Sequence, residues 1–187
     1  MVDLPWGDEK TTKFVTNVGL ITSKGSLGDN IMAAEWTHHV SYKPGIVSVS
    51  ISPSKASHEN ISKSKEFGVS LAASDQNVIA SVAGGSTGRE VDKVSALKEL
   101  GFKFYSGKKI KALMVGGAAL NLECRVIKEV PIGDHTMFVG EVLEASASEK
   151  EPLVYHKTKY WKLTERIQKP LQAELDRISG VVGSHHK

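Results

Sequence analysis

The chain has 187 residues, 40% of them hydrophobic and 24% charged, with a formal net charge of +3. That length suffices for one domain with a sizeable core, and the composition is ordinary for a soluble globular protein. The lysines are scattered, and only Lys108, Lys109 and Lys111 cluster, beside Gly107, which is too small a footprint for nucleic acid. Cys124 is the single cysteine, which excludes an intrachain disulfide and a cysteine-based metal cluster. No stretch has the length of a membrane-spanning helix and the N-terminus lacks a signal-peptide layout, so the expectation is a cytoplasmic protein without membrane association.

Residues 1–16 read as a polar arm. Val18 to Ser23 is an apolar strand that turns through Lys24-Gly25-Ser26-Leu27-Gly28 into a second strand, Asn30 to Ala34. Lys43-Pro44-Gly45 signals a turn before a third strand, Ile46 to Ile51, which Pro53 stops. Ser57 is placed to cap a short helix, Glu66 to Leu71 reads as a strand, and Asp75 is placed to cap a helix whose apolar face is Val78, Ile79 and Val82. Gly84-Gly85-Ser86-Thr87-Gly88 ends that helix. The second half is mostly β: 102–105, 112–115, 119–130 and 136–147 all carry strand patterns, with Gly133-Asp134-His135 as the turn between the last two. From Thr164 the tail turns helical, with Leu171, Leu175 and Ile178 at helical spacing and Pro170 at its start. Many strands with few, short helices predict a β-barrel with helical decorations.

The sequence carries no nucleophile elbow, Walker loop or zinc-protease motif. His38 and His39 are adjacent and face opposite sides of an extended chain, which is poor metal geometry; His185 and His186 lie in the polar tail. What the residues offer is amide and anion chemistry. Gly28-Asp29-Asn30-Ile31-Met32-Ala33-Ala34-Glu35-Trp36 places small side chains, an amide and an indole together, which suits a flat heterocycle and equally suits a turn with a core tryptophan. Ser50 and Ser52 leave the third strand on one face, followed by Ser54, Lys55 and a helix start with Ser57, His58 and Asn60. That is the chemistry of a phosphate site, and also of an ordinary capped surface helix.

Taken in order, the Asn30-to-Trp36 stretch, Val49-Ser50-Ile51-Ser52-Pro53, Ser57-His58-Glu59-Asn60-Ile61, Ser86-Thr87-Gly88-Arg89-Glu90-Val91-Asp92-Lys93, the Gly133-to-Val142 segment and Pro152-Leu153-Val154-Tyr155 resemble the flavin reductase-like family of FMN-binding split β-barrel proteins, flavoredoxins and archaeal ferric reductases included. The resemblance covers about 15–163 of a single domain spanning 1–187, with 164–187 as a helical tail. It implies a mainly β split barrel with short helices, a non-covalent FMN and a homodimer. Asn30 and the backbone of Ile31, Met32 and Ala33 would meet the isoalloxazine edge, and Trp36 would bond to the cofactor. Ser50, Ser52, Lys55, Ser57 and His58 would surround the phosphate and ribityl chain; Ser86, Gly88, Arg89 and Lys93 would close the site. His135 would place a nicotinamide, and Tyr160 and Trp161 would set aromatics near the flavin. Ser57 stands where many relatives carry Thr, and Val94 where an aromatic is common. The implied activity is an NAD(P)H-dependent flavin or ferric reductase; the alternative is a flavoredoxin-like carrier reduced by a protein electron donor.

Overall fold

The computed structural model describes residues 2–185, so His186 lies outside the described residues. After a single 3-10 turn at Thr11–Lys13 the chain forms β1 (Thr16–Asn17), β2 (Gly19–Gly25), β3 (Gly28–Ala34), β4 (Thr37–Ser41) and β5 (Ile46–Ile51). Next come α1 (Ala56–Ser64), β6 (Glu66–Leu71), α2 (Asn77–Gly85) and α3 (Lys93–Glu99). The second half holds β7 (Phe104–Ser106), β8 (Leu113–Val115), β9 (Leu120–Ile132), β10 (His135–Ala147), β11 (Val154–His156), β12 (Lys159–Trp161) and finally α4 (Gln172–Gly183).

Seven strands form one sheet in the order β3-β2-β6-β9-β10-β5-β4, and every neighbouring pair in it is antiparallel. β3 and β4 stand at its two ends, yet only Glu35 and Trp36 join them in sequence. A sheet whose end strands are that close along the chain must curl until its edges meet. The Ser50 N–H of β5 donates to the Trp36 carbonyl at 3.0 Å, which carries the β4–β5 pairing back to the corner where β3 ends. Since β3 and β4 do not pair, the barrel is split there. Register shifts at Val139/Gly140 and Val142/Glu144 tighten the long β9–β10 ribbon.

Strand alternation sorts the apolar side chains into two cores. Ile21, Ala34, Val47, Val49, Ile51, Phe67, Val69, Cys124 and Phe138 fill the barrel. Leu20 and Ile31, their neighbours along β2 and β3, point outward against Ile79, Ala80 and Ala83 of α2 and Val94 and Leu97 of α3. β2 is therefore buried on both faces. Gly140 is required inside the barrel, since a Cβ there would stand 2.5 Å from Phe67 Cζ.

Several elements differ from the sequence-based expectation. Helix α1 begins at Ala56 with Lys55 in the capping position, so Ser57 lies within the first turn and caps nothing. Gln76, not Asp75, precedes α2; the Asp75 carboxylate pairs with Lys150 Nζ at 2.7 Å. Helix α3 was not anticipated, although Asp92 caps it by accepting from Ser95 N at 3.0 Å. Strand β4 was also missed, because its His38, His39 and Val40 are exposed and leave no inward-outward alternation to read. His135 opens β10 instead of lying in the turn, which consists of Gly133 and Asp134 alone. The tail helix starts only at Gln172, beyond Pro170. Loop 107–111, anticipated as solvated, is anchored: the buried Glu123 carboxylate accepts from the backbone N–H groups of Lys108, Lys109 and Ile110 at 2.9, 2.6 and 3.2 Å. Among the described residues no helix is long and apolar enough to cross a membrane.

Candidate functional site

A cleft of about 210 Å³ opens where the outer layer meets the free edge of the sheet. One wall is β3, with Asn30, Met32 and Ala33. The opposite wall is the end of α2 and the loop after it, Ala83 to Gly88. The floor is the start of α1, with Lys55, Ala56 and Ser57, and Lys93 of α3 completes the lining. Because β3 is an edge strand, alternate backbone N–H and C=O groups along it have no strand partner on the side away from β2. The first N–H groups of α1 likewise have no acceptor within the helix, and no side chain caps them.

Inside this cleft the side chains form a fixed network. Asn30 is buried and its Nδ2 donates to Ser57 Oγ at 2.8 Å, which leaves the Ser57 hydroxyl proton available. Gly88 allows that arrangement, since a Cβ on it would stand 2.1 Å from Asn30 Oδ1. Lys93 is 2% exposed, and its Nζ donates to the carbonyls of Ala83 at 3.0 Å and Ser86 at 3.1 Å. Burial, and secondarily the like charge of Lys55, hold its ammonium down from the ordinary 10.5 to about 8. A cation in this position does two things: it ties down the end of α2, and it keeps one donor in reserve for an anion.

Of the residues singled out from sequence, the cleft brings together Asn30, Met32, Ala33, Lys55, Ser57, Ser86, Gly88 and Lys93. Others stand elsewhere. Ile31 is fully buried in the outer core, so only its backbone belongs to the β3 edge. His58 does not line the cleft: a helical step turns it about 100° from Ser57, and its Nε2 meets Thr136 Oγ1 at 3.0 Å, against the edge of Phe138. Burial lowers the affinity of that imidazole for a proton. Ser50 and Ser52 do not line it either; Ser52 Oγ sits 3.1 Å from Ser54 Oγ just before α1. Arg89 is turned outward, its Nε donating to the Ser54 carbonyl at 3.1 Å and its Nη1 to Glu59 Oε2 at 3.2 Å.

The aromatics fall into two groups. Trp36, 49% exposed, packs against His135 with ring centroids 4.7 Å apart, and His135 Nδ1 is 2.7 Å from Asp134 Oδ1. This pair forms a separate surface beyond the end of β3. Tyr160 and Trp161 belong to the small β1-β11-β12 sheet, where Tyr160 packs on Tyr155 and Trp161 Nε1 donates to the His156 carbonyl at 2.8 Å. Neither lines the cleft, because β12 is paired away from β3.

Sequence reasoning missed Ala56, Ala83, Gly84, Gly85 and Thr87 as lining residues. The available signal was the run Ala83-Gly84-Gly85, three small residues ending a helix, which is how a chain leaves room for a ligand beside its backbone. No group of three or more metal-ligating side chains occurs among the described residues.

An edge strand of free amides, a wall of alanines and glycines, and a helix start flanked by two lysines suit a planar heterocycle that carries an anionic group. The sequence profile of the flavin reductase like domain matches residues 11–164. An uncharacterised protein of Pyrococcus abyssi is 34% identical over 121 residues, which are 65% of this chain and 67% of that protein. The NADH-dependent flavin reductase of a Rhodococcus species is 27% identical over 147 residues, 77% of each chain. The structure of the flavin reductase PheA2 superposes with a TM-score of 0.73 at 29% identity, covering 88% of this chain and 100% of that one. The barrel, the cleft and the profile match together place this chain in the flavin reductase-like domain family.

Proposed function

We propose that the protein is an NAD(P)H-dependent flavin reductase that holds FMN in the β3–α1–α2 cleft and works as a homodimer. The observation that carries this reading is the pairing of a free-edged strand with an uncapped helix start beside Lys55 and Lys93. Bound flavin would supply hydride acceptance and its release as one or two electrons. The rest falls to the chain. The backbone of residues 30–34 orients the heterocycle by its hydrogen-bonding edge. Ala33, Ala83, Gly84 and Gly85 let a flat ring approach without displacing side chains. Lys55 and the N–H groups of Ala56 and Ser57 receive the phosphate, as a helix N-terminus does for anions. The exposed Trp36, backed by the half-buried His135, offers an aromatic surface on which a nicotinamide can be positioned. An aromatic, solvent-facing Trp6, Phe14 and Trp161 supply apolar surface for a second copy of the chain.

The test is a pair of titrations. FMN should bind the parent protein at least tenfold more tightly than riboflavin, and Lys55→Ala should lower FMN affinity on the order of tenfold while leaving riboflavin unaffected, as expected for one charge-assisted contact. Anaerobic NADH or NADPH should then bleach the bound flavin. Equal affinity for FMN and riboflavin would refute the phosphate site. Bleaching by a reduced electron-transfer protein but by neither nicotinamide would replace the reductase with a carrier.

A further inference from the structure

Resting on the reading of the cleft as a flavin site, we infer that Arg89 is a strap that closes the phosphate end of the cleft and restricts the protein to a mononucleotide. The cleft has two banks at that end. Ser54 and Lys55 lead into α1 on one side, and Thr87 and Gly88 follow α2 on the other. Arg89 leaves the second bank and reaches the first twice, through the Ser54 carbonyl at 3.1 Å and the Glu59 carboxylate at 3.2 Å. Glu59 is itself held, accepting from Lys63 Nζ at 2.8 Å. The guanidinium therefore spans the gap between the banks instead of facing the cleft, whose lining it does not join.

A flavin dinucleotide differs from the mononucleotide by an adenylate attached through the phosphate. With the phosphate against the start of α1, an adenylate that extends from it between Ser54-Lys55 and Thr87-Arg89 meets the gap that Arg89 crosses. Two fixed acceptors match the planar fork of arginine, a geometry that lysine cannot reproduce. Because the strap is solvent-exposed, it discriminates without sealing.

The experiment measures FMN and FAD affinity by flavin fluorescence quenching in the parent, Glu59→Ala, Arg89→Lys and Arg89→Ala. The parent should prefer FMN at least tenfold, which corresponds to about 1.4 kcal/mol. Glu59→Ala should keep its FMN affinity and lose at least threefold of that preference; Arg89→Lys should lose more, and Arg89→Ala should bind both flavins nearly equally. An unchanged ratio in Glu59→Ala and Arg89→Ala, or a parent that binds FAD as tightly as FMN, overturns the strap while leaving the flavin site standing. Equal weakening of FMN and FAD in Arg89→Ala also overturns it and makes Arg89 a phosphate ligand. Should Arg89→Ala fail to fold, the Glu59→Ala ratio decides alone. A parent that binds no flavin overturns the site and the strap together.

Discussion

The two faces of β2 and β3 carry the same kind of strand and reach opposite ends. On the inner face Ile21 and Ala34 meet Phe67 and Phe138, and the space is filled. On the outer face Leu20 and Ile31 are also packed, against Ile79, Val94 and Leu97, and only toward the rim, at Ala83, Gly84 and Gly85, do small residues leave space. Large residues packed at crystal-like density make the barrel a source of stability. Small residues at the rim of the helical layer bury less and leave a cleft. The contrast separates stability from binding: bulk removed inside should unfold the protein, whereas bulk added at the rim should only block the site.

The largest effect is expected from Phe67→Ala, which empties a fully buried position in the barrel. Loss of about 3–5 kcal/mol of unfolding free energy is the usual cost of such a truncation, and urea denaturation would measure it. Gly140→Ala probes the same core from the other direction. A Cβ 2.5 Å from Phe67 Cζ and 3.0 Å from Cys124 Cβ should cost about 1–3 kcal/mol by overpacking. A loss below about 0.5 kcal/mol from either change would mean that the barrel is not the rigid half of the comparison.

Gly85→Leu is the matching change at the rim. A Cβ at Gly85 meets nothing within 4 Å, and Gly85 closes helix α2, so the unfolding midpoint should hold or rise slightly. FMN affinity should nevertheless fall at least tenfold, about 1.4 kcal/mol, as the side chain occupies the cleft. Titration calorimetry beside thermal melting reports both quantities; unchanged FMN affinity would show that this wall does not meet the ligand.

A further effect is one of pH. The pKa of Lys93 is about 8 in the folded chain against an ordinary 10.5. Between those values the unfolded chain holds a proton that the folded one has released, so stability rises with pH across this window, and below pH 8 the cost of burying the ammonium is present in full. Cys124, whose thiol burial pushes up from 9.0 to about 12, acts in the opposite sense above pH 9. The difference in unfolding free energy between the parent and Lys93→Met isolates the lysine: it should change in the parent's favour as pH rises from 8 to 10.5. A flat difference would mean that the Ala83 and Ser86 carbonyls compensate the burial completely.

Much of this was legible in the sequence because it is local. The apolar run Val18–Ser23 and the alternation in Leu120–Ile127 mark strands, and Lys43-Pro44-Gly45 and Gly133-Asp134 mark turns. The order of motifs from Asn30 to Lys93 identified the family and supplied eight of the cleft-lining residues. Errors gathered where a local signal is degenerate. A serine in the first turn of a helix resembles an N-cap, and the two-residue difference between Ser57 and the true capping position, Lys55, sends Ser57 to Asn30 and His58 to Thr136.

By itself the sequence determined the strand-rich class, the small-residue walls and the presence of lysines and hydroxyls near a helix start, since these follow from residue type and period. Only the tertiary structure decided which of them meet. Closure of the sheet brings Asn30 of β3 against Ser57 of α1, 27 residues away. Packing of α3 buries Lys93 against carbonyls at the end of α2, and a long reach ties Arg89 to Glu59 outside the cleft instead of within it. Side-chain direction depends on helix start and strand register to the single residue, and those are fixed by the competition of distant contacts for one barrel, which no window of sequence contains.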